Sequence, residues 1–178
     1  MAKSTRYIEI MDTTLRDGEQ TSGVSFSAAE KLTIAQILLT EVKVDRIEIA
    51  SARVSDGEFE AVKKITRWAK SKHMLGKVEV LTFVDGTISI DWMVKAGAKV
   101  QNLLTKGSLN HLTHQLKKTP TQHFAEIAKE LITTLSTLML VNSKIEYSIF
   151  IGLIVDCFKK VFTVHLFGIS ISCSRLFK

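Results

Sequence analysis

The chain has 178 residues, 46% hydrophobic and 24% charged, and a formal charge of +6. That length holds one sizeable core rather than two ordinary domains, and the composition is globular rather than disordered or fibrous. Scattered basic residues, a longest apolar run (Ile149 to Val155) far below the roughly 20 residues of a membrane span, and no secretory leader argue against nucleic-acid and membrane partners. The expected setting is cytoplasmic, with Cys157 and Cys173 as reduced thiols outside any CxxC or zinc-type cluster.

The first strand is expected over Tyr7 to Met11, an apolar alternating run. It ends in Asp12-Thr13-Thr14-Leu15-Arg16-Asp17-Gly18-Glu19-Gln20, a burst of charged and hydroxyl residues such as a strand-end active site presents. Arginine beside a carboxylate suits metal-assisted chemistry on a small anion: the carboxylate can ligate a hard divalent cation while the guanidinium meets an oxyanion. The plain alternative is a structural ion pair at the end of a strand.

Ser27, with Glu30 three residues on, predicts a capping box. The helix that follows should turn Leu32, Ala35, Ile37 to Leu39 and Val42 to one apolar face. Arg46 to Ala50 reads as the second strand, where Glu48 either faces solvent, pairs near Arg46 or lines a pocket. Asp56 is the expected cap of the next helix, with Phe59, Val62, Ile65, Trp68 and Ala69 as its buried stripe. Val78 to Val84 forms a third strand, Asp85-Gly86 a turn, and Ile90 to Ala96 a short helix. Lys99 to Leu104 is a fourth strand, and Thr105 to Ser108 its loop. Pro120 stands in a helix first turn, ahead of Phe124, Ile127, Ala128 and Leu131.

Four strand–helix units with short links imply parallel strands, in a doubly wound sheet or part of a (β/α)8 barrel. The barrel is favoured because Asp12 to Gln20, Ser51 to Arg53, Thr82 with Asp85, and Thr105 to Ser108 all fall at C-terminal strand ends, while no glycine-rich phosphate loop is present. The expected fold is therefore α/β, a partial (β/α)8 TIM barrel of about four units. The expected division is 1–133 as the N-terminal half of the barrel and 134–178 as an atypical apolar tail, in which the strand–helix rhythm is not legible.

The nine residues Asp12 to Gln20 resemble the family of 2-isopropylmalate, citramalate and homocitrate synthases, relatives of the hydroxymethylglutaryl-CoA lyases. Val44 to Ser55, Leu81 to Gly86 and Asn102 to Ser108 extend the resemblance, which covers roughly residues 6 to 130. It implies a metal-dependent acyltransferase of branched-chain amino-acid biosynthesis. Such an enzyme condenses acetyl-CoA, as co-substrate, with a small-molecule 2-oxo acid, and is a homo-oligomer in intact relatives. By motif, Asp17 is the metal ligand (for Mg²⁺, Mn²⁺ or Zn²⁺), and Arg16 the catalytic and substrate-binding group that meets the oxyanion. Glu48 is a catalytic pocket residue, Gln20 binds substrate, and Leu81 and Leu104 line the pocket for the oxo acid's side chain. The family's His-x-His motif has no counterpart, since no two of His73, His111, His114, His123 and His165 are separated by one residue. The family's tyrosine and glutamate after the fifth strand are not recognisable either: Lys144-Ile145-Glu146 stands in that neighbourhood, and position alone does not assign Glu146 the role. His111 and His114, at i and i+3, read as a polar surface rather than as ligands. The chain is accordingly expected to be the N-terminal half of such an enzyme, with a tail produced by a frame disruption or a faulty gene model. The competing expectation is an inactive half-barrel that needs a partner chain or misfolds.

Overall fold

The computed structural model describes residues 8–141 and three short strands at 153–154, 163–166 and 169–172. Tyr7, Glu146, Cys157 and Cys173, on which expectations fell, lie outside the described residues.

Four strands follow one another in parallel: β1 (Met11–Asp12), β2 (Arg46–Ser51), β3 (Val78–Phe83) and β4 (Val100–Lys106). Helices α1 (Ala28–Ile37), α2 (Asp56–Ser71) and α3 (Ile88–Lys95) connect them, and α4 (Pro120–Val141) follows β4. Two-residue β5 (Leu153–Ile154) joins β4 in parallel, while β6 (Thr163–Leu166) and β7 (Ile169–Ser172) form a separate antiparallel pair. The order β1-β2-β3-β4 with one helix per crossover is that of a partial (β/α)8 barrel.

Strand alternation divides the residues between two faces. Ile47, Ile49, Val78 and Val80 join Ala35, Leu39, Val62, Ile65, Ala69 and Met93 in one core cluster between sheet and helices. Their sequence neighbours turn to the other, concave face. Register sets Glu48 beside Glu79, Leu81 beside Asn102, and Phe83 beside Leu104.

Local chemistry explains the boundaries. Ser27 Oγ accepts from the Glu30 N–H and Glu30 Oε2 accepts from the Ser27 N–H, so the capping box forms as expected. The helix does not keep its pitch: Leu38–Val42 widens into a π-turn that ends at Lys43 with φ +61°. The shift leaves Ile37 and Val42 exposed, outside the buried face expected of them. Ser55, not Asp56, caps α2, its Oγ accepting from the Glu58 N–H. The α2 stripe forms with Val62, Ile65 and Ala69 fully buried, and Phe59 meets Trp92 of α3 edge-on at 5.3 Å.

β1 is shorter than expected because Ile10 donates its N–H to the Asp45 carboxylate, and its carbonyl accepts from both Asp45 and Arg46. β4 is longer, taking in Thr105 and Lys106. Two residues expected on the rim are buried behind the sheet instead: Thr82 accepts from Gln101 Nε2, and Thr105 Oγ1 lies 2.8 Å from Nε2 of His123 on α4.

Candidate active site on the concave face

The loop after β1 is folded by its own side chains. Asp12 turns back onto the chain, accepting from the Thr14 N–H and hydroxyl, and the Thr13 carbonyl accepts from the N–H groups of Arg16, Asp17 and Gly18. This tight turn buries Leu15 beneath it and sends Arg16 over the concave face.

There Arg16 meets Glu48. Nε and Nη2 both lie 2.8 Å from Glu48 Oε2, and Nη1 donates to Asp17 Oδ1 at 2.9 Å. Asn102 Nδ2 donates to the other glutamate oxygen at 2.8 Å. Glu48 is fully buried, which removes the solvent-facing reading, and its partner is Arg16 rather than Arg46. Burial pushes the Glu48 carboxyl above the usual range, opposed by Arg16 and Asn102 and reinforced by the Asp17 charge.

Asp17 is the exposed member, 61% open at its side chain against 19% for Arg16. The result is a guanidinium held from beneath by a buried carboxylate and flanked at the surface by a second one.

Of the other expected site residues, Leu81 is buried on the same face beside Asn102, and Leu104 is half-buried two residues farther along β4. Both stand on the face that carries Glu48. Gln20 ends a short 3₁₀ turn, Gly18–Gln20, and is exposed, without a side-chain hydrogen bond among the described residues.

A second acid–base pair lies nearer the N-terminal ends of the strands. Arg46 Nη1 donates to Glu79 Oε1 at 2.9 Å and Nε to Glu9 at 3.0 Å, while Glu79 Oε2 is buried without a partner among the described residues. Burial raises the Glu79 carboxyl, opposed by Arg46 and reinforced by Glu48 and Glu9. The expectations omitted this pair, as they did Asn102 as a partner of Glu48. The signal for Glu79 was present: it is the charged residue between the inward-packed valines of Val78-Glu79-Val80. Asn102 gave none, since Gln101 beside it blurs the alternation.

The donor set was weighed against a divalent cation. Such an ion takes six or more oxygens, or three to four nitrogen and carboxylate ligands. Among the described residues no group of three or more His, Cys, Asp or Glu side chains is placed to hold one. His111 is half-buried and His114 exposed on a π-turn, His111–Leu116. The described residues therefore do not complete a metal site; Asp17 offers one carboxylate. No described helix is long and apolar enough to cross a membrane.

Comparison with known proteins gives the chain's family. The HMGL-like family matches residues 7–152. A 2-isopropylmalate synthase of Oceanobacillus iheyensis is 38% identical over 128 residues, 71% of this chain and 24% of that protein. One from Pyrococcus furiosus is 39% identical over 115 residues, 65% of this chain and 23% of its own length. An (R)-citramalate synthase of Methanocaldococcus jannaschii is 38% identical over 112 residues, 63% of this chain and 22% of that protein. The matched part thus spans about a quarter of the length of these relatives. With more than half of its residues matched, the chain belongs to the HMGL-like family.

Proposed function

We propose that this chain carries the oxo-acid end of an acyltransferase site of the 2-isopropylmalate or citramalate synthase type, one that condenses acetyl-CoA with a 2-oxo acid. The carrying observation is the guanidinium of Arg16, held by buried Glu48 on the face shared by Leu81 and Leu104. In this reaction a base removes a methyl proton from acetyl-CoA. The resulting carbanion adds to the 2-oxo carbon, the former carbonyl oxygen gains the electron pair, and hydrolysis of the thioester releases the thiol. Arg16 is suited to the developing oxyanion because its position is set before substrate arrives. Glu48 fixes that guanidinium from below, and its carboxyl, held high by burial, is a group able to exchange a proton there.

Leu81 and Leu104 set the room for the oxo acid's side chain, with Gln20 at the mouth. One methylene in such a pocket is worth about 1–3 kcal/mol, so two leucines leave both pyruvate and 2-oxoisovalerate as candidates. On this reading Asp17, exposed beside Arg16, would lend one carboxylate to a divalent cation, whose remaining ligands would come from outside the described residues. A cytoplasmic setting and homo-oligomeric assembly belong to the same reading.

A second reading, an inert half-barrel in need of a partner chain, draws on two observations. Among the described residues β1 is paired on one edge only, and no three-ligand metal cluster exists. A thiol-release assay with acetyl-CoA, Mg²⁺ or Mn²⁺, and either oxo acid separates the two. Turnover lost on Asp17→Ala supports the transferase; no turnover at any protein concentration supports the inert form.

A further inference from the structure

The turn that presents Arg16 and Asp17 is fastened a second time, on the side away from Glu48. Glu19, two residues after Asp17, points toward α1, where the Lys31 ammonium sits between Glu19 Oε2 and Glu58 Oε1. Lys31 is 1% exposed, and its two partners are themselves largely covered. An ammonium taken this far from water persists only when carboxylates surround it.

Glu19 is also the acceptor of the Phe26 N–H at 3.0 Å, and Phe26 packs against the core. Between them, Thr21 and Val24 donate only to the nearby carbonyls of Gly18 and Thr21. Glu58 lies in the first turn of α2, its N–H held by Ser55. One lysine side chain therefore joins the loop after β1, helix α1 and the start of α2.

We propose that Lys31 is a positioning residue for the Arg16–Asp17–Glu48 cluster, acting through Glu19; this rests on the function proposed above. Without the ammonium, the carboxylates of Glu19 and Glu58 face each other and repel. Glu19 then swings to water and carries the Gly18–Gln20 turn with it. Asp17, which opens that turn, leaves its place beside Arg16, and the guanidinium keeps only its lower anchor.

The test is Lys31→Met, which keeps most of the side-chain volume and removes the charge, read by amide hydrogen exchange on the whole chain. The N–H groups of Arg16 to Gln20 all donate within the turn. Their exchange is expected to rise at least tenfold, with Ile47 to Ala50 and Val78 to Leu81 unchanged within about twofold. Unchanged exchange at 16–20, or an equal rise in the strands, overturns the proposal. Should Lys31→Met fail to fold, Glu19→Gln decides in its place: it keeps an acceptor for Phe26, and a three- to tenfold rise confined to 16–20 is expected. Unchanged or uniform exchange in that variant likewise overturns it. In the thiol-release assay, with rates referred to the folded fraction measured by circular dichroism, Lys31→Met should lower kcat at least tenfold with KM for acetyl-CoA within about twofold; a corrected kcat at the wild-type value, which loss of folded protein alone would leave, overturns the proposal. Absence of wild-type turnover refutes the transferase reading, while the exchange measurement still decides the role of Lys31.

Discussion

Replacing Arg16 by methionine removes the guanidinium that holds Glu48 Oε2 through two nitrogens and Asp17 through a third. Glu48 is fully buried, and among the described residues Asn102 alone remains to it. Breaking a buried ion pair from one side costs about 3–5 kcal/mol, and the 19% exposure of Arg16 places this case near the lower bound, about 3 kcal/mol at pH 8. The cost depends on pH with a definite sign. Glu48 already binds its proton more tightly folded than unfolded, and loss of Arg16 removes the first of the influences that oppose this. As pH rises above the unfolded glutamate value, the variant's folded state holds the extra proton, so its stability falls until its own raised pKa is passed. Toward pH 4, as the Glu48 carboxyl takes up its proton and no stranded charge is left in the variant, the difference should shrink. Urea unfolding at the two pH values measures this. Arg16→Met/Glu48→Leu should recover to within about 1 kcal/mol of wild type, since an apolar pair carries no stranded charge. A cost below about 0.5 kcal/mol at pH 8, or one that is flat between pH 4 and 8, would refute the view of this pair as a buried one.

Glu79→Gln removes a second carboxyl that burial raises. Its advantage over wild type should grow as pH climbs past the unfolded glutamate value of about 4.3, because wild type loses stability there, and matched unfolding curves from pH 4 to 8 would stay parallel if the carboxylate were comfortably solvated. Thr66→Val deletes the hydroxyl that donates to the buried Ala96 carbonyl at 2.7 Å, and should cost about 1–3 kcal/mol; a change under about 0.3 kcal/mol in urea would mean the carbonyl has another donor. Gly97→Ala meets that same hydroxyl at 3.3 Å with φ at +81°, so the pair of substitutions should be non-additive in a double-mutant cycle.

The strand–helix order was legible because each unit bears its own marks: alternation in Ile47 to Ile49 and Val78 to Val80, a capping box at Ser27, and a 3.6-residue stripe along α2. The Arg16–Asp17 segment stood out by residue type and spacing, whereas Glu48 came from the resemblance, its place in Arg46 to Ala50 leaving solvent, Arg46 and a pocket all open. Less of what surrounds it could be read. A π-turn at Leu38–Val42 obeys no hydrophobic period, so the exposure of Ile37 and Val42 was hidden. Thr82 and Thr105 looked like rim residues because a hydroxyl at a strand end does not declare its face; their partners, Gln101 and His123, are 19 and 18 residues away. Lys31 drew no expectation, since a lysine in a helix first turn is ordinarily solvated. Only the folding of Glu19 and Glu58 against it makes it a buried centre.

The most direct measurement of the central claim sets the two arginine–glutamate pairs of the concave face against each other. Calorimetric titration of 2-oxoisovalerate and pyruvate, with Mg²⁺ present, into wild type, Arg16→Met and Glu79→Gln asks which pair the substrate needs. A site built on Arg16 predicts binding that weakens at least tenfold in Arg16→Met and stays within about twofold in Glu79→Gln. Binding that survives the loss of Arg16, or falls equally in both variants, would contradict it.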